Sequence, residues 1–129
     1  MIFLAVSALA PGLWGVLAPE SFFRDFPGFG FSWVSLYPPY NEHLVRDVGA
    51  FFLAQGVLMS AAAYVMDRRL TQVALSSWLI FHLHHLYLHL TEDDLSGTEG
   101  IAQALTLGLM VLIPAILLPL SRRAEKRMG

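Results

Sequence analysis

Long uncharged, apolar tracts alternate along the chain with short polar segments that hold almost all of its charges. Three internal tracts contain no Asp, Glu, Lys or Arg over 19, 22 and 22 residues: 48–66, 70–91 and 100–121. The first 19 residues are also uncharged, although Pro11 and Gly12 interrupt them. About 20 helical residues, each rising about 1.5 Å, cross the ~30 Å hydrocarbon core of a bilayer. The pattern therefore predicts four membrane-spanning α-helices, at residues 2–17, 44–66, 70–90 and 101–120.

The amino-acid composition supports this interpretation. Of the 129 residues, 56% are hydrophobic and 14% are charged, whereas a soluble domain carries roughly 25% charged residues. So short a chain cannot bury four such tracts within one soluble globule. We therefore expect an all-α fold, a four-transmembrane-helix bundle that forms a single integral membrane domain over residues 1–129. Because there is no cysteine, disulfides and thiolate metal ligands are excluded.

The basic residues indicate the orientation in the membrane. Six of the eight Lys and Arg residues lie in two segments, at 67–69 and 122–127, and cytoplasmic segments carry such an excess. We predict a multi-pass plasma-membrane protein with both termini in the cytoplasm. A cleaved signal peptide is disfavoured, because no basic residue precedes the first tract and Trp14 lies beside the cleavage-like sequence at 16–18.

The connection between the first two spans is rich in aromatic residues. Residues 18–40 contain five Phe, one Trp and two Tyr, the residues that collect at the membrane–water interface. We expect an interfacial cap over the outer mouth of the bundle, with a short helix near 21–26 that ends at Pro27. A loop that is only anchored in lipid is the alternative. Asn41 is the expected N-cap of the second span.

Polar side chains at the outer ends of the second and third spans form the candidate site, because ionisable groups inside apolar helices are costly and usually mark function. The second span begins, and the third ends, with the following polar residues: Asn41, Glu42, His43, Arg46 and Asp47, then His82, His84, His85 and His89. At about 100° per residue, His82, His85 and His89 share an arc of about 60°. Trp78 continues this stripe one turn deeper, whereas His84 points away. We therefore predict one site between these two helices, in the outer leaflet.

The residue types of this site suit a metal ion or a haem. His85 and His89, four residues apart, can ligate one metal from a single helix. A third ligand from His43, Asp47 or Glu42 would complete a shell that Zn, Fe or Cu accepts. Two histidines from different helices also suit the axial positions of a haem. The candidate metal ligands are His43, His82, His85 and His89, and the candidate ligand-binding residues are Asn41, Glu42, Arg46, Asp47 and Trp78; no residue is assigned a catalytic role.

Each of these residues also has a purely structural interpretation. Glu42 and Arg46, four residues apart, can form a salt bridge at the start of a helix. Asp47 can accept a hydrogen bond from a histidine of the third span and lock two helices together. Interfacial histidines can bind water and lipid headgroups without any cofactor.

The sequence block at residues 39–50, which contains Asn41-Glu42-His43 and Arg46-Asp47, resembles a group of small four-helix membrane proteins that are common in actinobacterial genomes. Some of these proteins lie near the DoxX-like superfamily. The resemblance extends over nearly the whole chain and implies a four-helix bundle with the polar cluster as its signature. It implies no activity. Related members often carry a proline where this chain has His84.

Three functions follow as hypotheses from these residues. The first is a metal- or haem-binding membrane protein, redox- or quinone-linked. The second is a binder or isomerase of a lipid-like or sterol-like molecule, and the third is a non-catalytic accessory subunit of a membrane complex. The expected partners are membrane lipid, a quinone or another apolar ligand, and a second copy or a membrane-complex subunit. Nucleic acid is not expected, because the basic tail at 122–127 suits anionic lipid.

Overall fold

The computed structural model describes residues 1–92 and 97–123. Within these ranges the chain forms five α-helices, with a two-stranded hairpin and one turn of 3₁₀-helix between the second and the third. The elements are α1 (Ile2–Leu17), α2 (Pro19–Asp25), β1 (Pro27–Gly28), β2 (Phe31–Ser32), the 3₁₀ turn (Val34–Leu36), α3 (Glu42–Val65), α4 (Arg68–Glu92) and α5 (Gly97–Arg123). The predicted all-α fold class is confirmed at this level. The basic tail from residue 124 onward lies outside the described residues.

Two helices are long and apolar enough to cross a membrane: α3, and residues 97–121 of α5. Helix α1 is apolar but has only 16 residues, and α4 carries four of the five histidines, which lower its apolar character. A helix covers each of the four predicted spans, and α3, α4 and α5 begin before the apolar tracts do. The reason is that a helix continues past the hydrocarbon core into the polar interface, so hydropathy alone underestimates its length. Four membrane crossings stay a prediction.

The chain divides into two compact units, and α3 passes from one to the other. The first unit contains residues 1–60 and the second begins at Ala61. Each unit has its own way of packing helices, and each holds part of the predicted polar site.

In the first unit, α1 and α3 approach each other through glycines. A Cβ atom added to Gly12 would lie 2.8 Å from the backbone nitrogen of Leu53, and one added to Gly49 would lie 2.9 Å from the carbonyl carbon of Gly15. Contacts closer than about 3.0 Å are essentially never made by real Cβ atoms. The contacting residues run in opposite directions along the two helices, so the helices are antiparallel. Small residues permit such close packing in lipid, where no hydrophobic effect drives helices together.

The aromatic segment that follows α1 is folded around its own rings. The ring centroids of Phe22 and Phe26 lie 4.7 Å apart, and Trp14 and Trp33 each lie about 6 Å from the Phe26 ring. A short helix is present near the predicted position as α2, which starts at Pro19, a residue suited to the first turn; its location at a membrane interface stays a prediction. The hairpin after α2 was not predicted.

In the second unit, α4 and α5 pack side by side. The indole nitrogen of Trp78 donates a hydrogen bond to the Met110 carbonyl at 2.8 Å, and Trp78 is fully buried. Asp67 starts α4, since its carboxylate oxygen accepts a hydrogen bond from the backbone nitrogen of Leu70 at 2.8 Å. In the first unit the helices therefore pack through glycines, which have no side chain, whereas in the second unit a hydrogen bond joins them.

We expect Gly49→Ala to destabilise the protein by about 1–3 kcal/mol, because the added methyl group meets the backbone of α1, which cannot move aside as a side chain can. Gly108→Ala is the matched control, since a Cβ atom there meets nothing within 4 Å. Unfolding of both variants by SDS in mixed micelles, followed by circular dichroism, measures the difference. Equal stability of the two variants would contradict the close α1–α3 contact.

Candidate functional site

Asn41 caps the helix that carries the first polar group. Its side-chain oxygen accepts a hydrogen bond from the backbone nitrogen of Leu44 at 3.0 Å, the geometry of an N-cap. The predicted N-cap is thus confirmed, and Glu42 follows in the first turn of α3. A carboxylate there interacts favourably with the positive end of the helix dipole. Both residues therefore have a role in starting α3.

Arg46 connects the start of α3 to the end of α1. Its Nε donates a hydrogen bond to the Glu42 carboxylate at 2.9 Å, and its Nη1 donates to the backbone carbonyl of Val16. The last carbonyls of a helix lack intrahelical partners and carry partial negative charge. The guanidinium therefore satisfies one of these carbonyls while it pairs with Glu42, which favours the structural interpretation of this ion pair.

His43 and Asp47 form a second pair beside the first. The His43 Nε2 lies 3.2 Å from a carboxylate oxygen of Asp47, and the two side chains are 89% and 64% exposed. An exposed pair of this kind contributes little to stability, typically 0–1 kcal/mol. Just before the N-cap of α3, partial loss of hydration raises the pKa of Tyr40, and Coulombic repulsion from Glu42 and Glu20 raises it further. The Tyr40 phenol therefore stays a hydrogen-bond donor at neutral pH.

The second polar group lies along α4 and begins with a stacked pair. The His82 ring lies flat on the Trp78 ring, with centroids 4.1 Å apart and planes 7° apart. Its Nδ1 donates a hydrogen bond to the Trp78 carbonyl at 3.0 Å. Since a neutral imidazole has one proton, this bond places the lone pair on Nε2, the arrangement typical of a metal-binding histidine.

His85 and His89 continue the stripe toward the end of α4. Their ring centroids lie 4.5 Å apart with the planes nearly perpendicular, and His85 stacks on Phe81. His89 is buried, and its Nδ1 accepts a hydrogen bond from the amide nitrogen of Gln103 on α5 at 3.1 Å. This bond places the proton of His89 on Nε2. An imidazole–amide pair thus joins α4 to α5 in the interior of the second unit.

The predicted stripe agrees with the burial of these side chains. Trp78, His82 and His89 are buried, His85 is half-buried, and His84 is exposed. Gln103 was not predicted as part of the site, yet the structure places it there, buried, with only 3% of its surface exposed. The signal was present in the sequence, because Gln103 is a lone amide within an apolar tract and such groups rarely face lipid.

The structure groups the predicted site residues in two sets. Asn41, Glu42, His43, Arg46 and Asp47 lie at the start of α3 in the first unit, and Trp78, His82, His85 and His89 lie on α4 in the second. Across residues 1–92 and 97–123, no three His, Asp or Glu side chains are arranged to hold a metal ion. A pocket shared by the two sets stays a prediction.

No protein family, curated protein or solved structure matches the chain. The resemblance to small four-helix membrane proteins of the DoxX-like type therefore stays a prediction.

We expect Arg46→Met to destabilise the protein by about 1 kcal/mol, because it removes the contact with the C-terminal end of α1. Arg24→Met is the matched control. Arg24 also pairs with a glutamate four residues away, at 3.6 Å, but both side chains are largely exposed, so its loss should change stability by less than about 0.5 kcal/mol. Unfolding curves in mixed micelles measure both changes, and equal effects would contradict the bridging role of Arg46.

We expect Gln103→Leu to destabilise the protein by about 1–3 kcal/mol, because the buried imidazole of His89 loses its hydrogen-bond donor. The double variant His89→Leu/Gln103→Leu should recover part of this loss, since neither polar group is then left buried. A double-mutant cycle from four unfolding curves measures the coupling. Strictly additive losses would mean that the pair contributes nothing specific.

Proposed function

We propose that this chain is a plasma-membrane protein with four membrane-spanning helices, α1, α3, α4 and α5, and with both termini in the cytoplasm. The length and composition of α3 and α5 support two crossings directly. Helix α1 runs antiparallel to α3 through the glycine contacts, and α4 runs antiparallel to α5 through the Trp78–Met110 and His89–Gln103 bonds. A helix that packs along a membrane-spanning helix crosses with it, which supports the other two spans.

The proposed activity is binding of a redox-active cofactor, a transition-metal ion or a haem, at the histidine face of α4. One observation carries this proposal: two imidazoles one helical turn apart, with centroids 4.5 Å apart, of which one is buried and oriented by an amide. Imidazole nitrogen suits Zn, Cu and Fe, and two histidines at this spacing can share one ion. The remaining positions would be taken by water, a small molecule or a haem.

Gln103 is the residue that would tune such a site. For His89 to bind a metal through Nε2, its proton must move to Nδ1, and the Gln103 side chain must turn to present its oxygen to that proton. A hydrogen bond to the second ring nitrogen fixes the tautomer and makes the ligand nitrogen more basic. His82 already has this tautomer, through its bond to the Trp78 carbonyl. The partner of a redox cofactor at this depth would be a quinone or another apolar molecule from the lipid phase.

A non-catalytic accessory subunit is the second candidate. The hydrogen bonds from Trp78 to Met110 and from Gln103 to His89 join α4 and α5 without any ligand. On this proposal the polar side chains serve only to fix the pairing of these two helices, and the protein acts by holding another membrane protein.

Absorbance spectra and metal analysis of the protein purified in detergent test the first proposal. The wild type should carry a metal or haem, or take one up from Zn, Fe, Cu or haemin, and His85→Ala and His89→Ala should each lower the bound amount at least tenfold. His84→Ala is the matched control, because His84 lies on the same helix but is exposed, and it should keep the wild-type content.

A colourless, metal-free protein that takes up none of these cofactors would contradict cofactor binding and leave the accessory role. In that case His85→Asn should change stability and assembly alone. Cofactor loss in His84→Ala to the same extent as in His85→Ala would also contradict the proposed face of α4.

A further inference from the structure

Phe29 is held away from the rest of the protein at the tip of the hairpin. Strands β1 and β2 pair Pro27 with Ser32 and Gly28 with Phe31, which leaves Phe29 and Gly30 as the turn. The Phe29 side chain is 99% exposed. Three successive residues, Gly28, Phe29 and Gly30, have φ values of 91°, 59° and 86°. Glycine adopts such angles freely, but phenylalanine rarely does. The backbone of Phe29 is therefore held in an unfavourable conformation, in a turn that exposes its ring.

The base of this hairpin is firmly supported. The backbone nitrogen of Trp33 donates a hydrogen bond to the Phe26 carbonyl at 2.7 Å. The Trp33 and Phe26 rings meet edge to face at 6.1 Å, and Trp14 of α1 lies 6.1 Å from the Phe26 ring. The hairpin, residues 27–32, is therefore a short finger whose base belongs to the folded first unit, and Phe29 is its only side chain that is almost completely exposed.

The position of the finger along the helices follows from the packing of α1 and α3. These helices are antiparallel and in contact through Gly12, Gly15 and Gly49, and the segment 18–41 joins the end of α1 to the start of α3. With α3 crossing the bilayer as proposed, for which it has the length and composition, this segment lies at one membrane surface. Large apolar side chains are exposed around it, with Leu17 at 74%, Leu36 at 54% and Tyr37 at 47%.

We propose that the finger inserts Phe29 into the bilayer beside the protein, at the boundary between the phospholipid headgroups and the acyl chains. An aromatic ring is stabilised at this depth, whereas a fully exposed ring in water gains nothing from the strained turn. Leu17 and Tyr37, at the two ends of the same segment, are apolar side chains that are also exposed. This inference rests on the proposed membrane insertion of the protein through α3 and α5 and is independent of the histidine site.

Site-directed spin labelling of the full chain in phospholipid nanodiscs tests the proposal, and the absence of native cysteine makes single labels straightforward. The three labelled variants are Phe29→Cys, Glu20→Cys at an exposed position of α2, and Leu109→Cys at a half-exposed position of α5. Collisions with oxygen, which concentrates in lipid, and with a neutral nickel chelate, which stays in water, report the depth of each label. Because Phe29 is 99% exposed, its replacement removes no packing.

The label at position 29 should resemble the one at Leu109, with a ratio of oxygen to nickel collisions several-fold above that at Glu20. Nickel access at position 29 equal to that at Glu20 would place the finger in water and overturn the proposal. Protection from both reagents would mean that a protein surface covers Phe29, which also overturns it. Nickel access at Leu109 would instead contradict membrane insertion of α5, a failure distinct from that of the finger.

Discussion

The structure depends on one constraint: a polar group buried within an apolar helix must find its hydrogen-bond partner inside the protein, because apolar surroundings offer none. The described helices meet this constraint repeatedly. The hydroxyls of Ser60 and Thr106 donate to carbonyls one turn earlier in their own helices, at 2.7 and 2.8 Å. Trp78 and Gln103 instead make their bonds between α4 and α5. The larger polar side chains therefore also determine which helix faces meet.

The same constraint gives the candidate site its double character. A buried imidazole needs a partner whether or not a cofactor is bound, so a structural role and a binding role use the same atoms. In His82 the backbone supplies that partner, and in His89 a side-chain amide does. Of these two partners, the Gln103 amide says more about the site, because it comes from another helix and can present either a donor or an acceptor to the ring. The chemistry of α4 thus depends on a residue of α5.

Much of the helical framework was predictable from the sequence, and the reasons differ from element to element. The uncharged tracts indicated four of the helices, because about 20 consecutive apolar residues are typical of a helix long enough to cross a bilayer. Asn41 was recognisable as an N-cap from its residue type and its position. The contact of Arg46 with Val16 was not predictable, because the acceptor is a backbone carbonyl 30 residues away. Gln103 could be suspected, but its pairing with His89 depends on which face of α5 meets α4. The hairpin at 27–32 has strands of two residues, too short to show any alternation.

The glycine contacts between α1 and α3 have a consequence for the entropy of helix association. When a leucine or methionine becomes buried between helices, the loss of its rotamer freedom opposes the association by roughly 0.5–2 kcal/mol. At Gly15 and Gly49 the nearest atoms across the contact are all backbone atoms, so these positions freeze no rotamers. The contacts at Gly15 and Gly49 therefore hold α1 against α3 with little opposing loss of side-chain freedom.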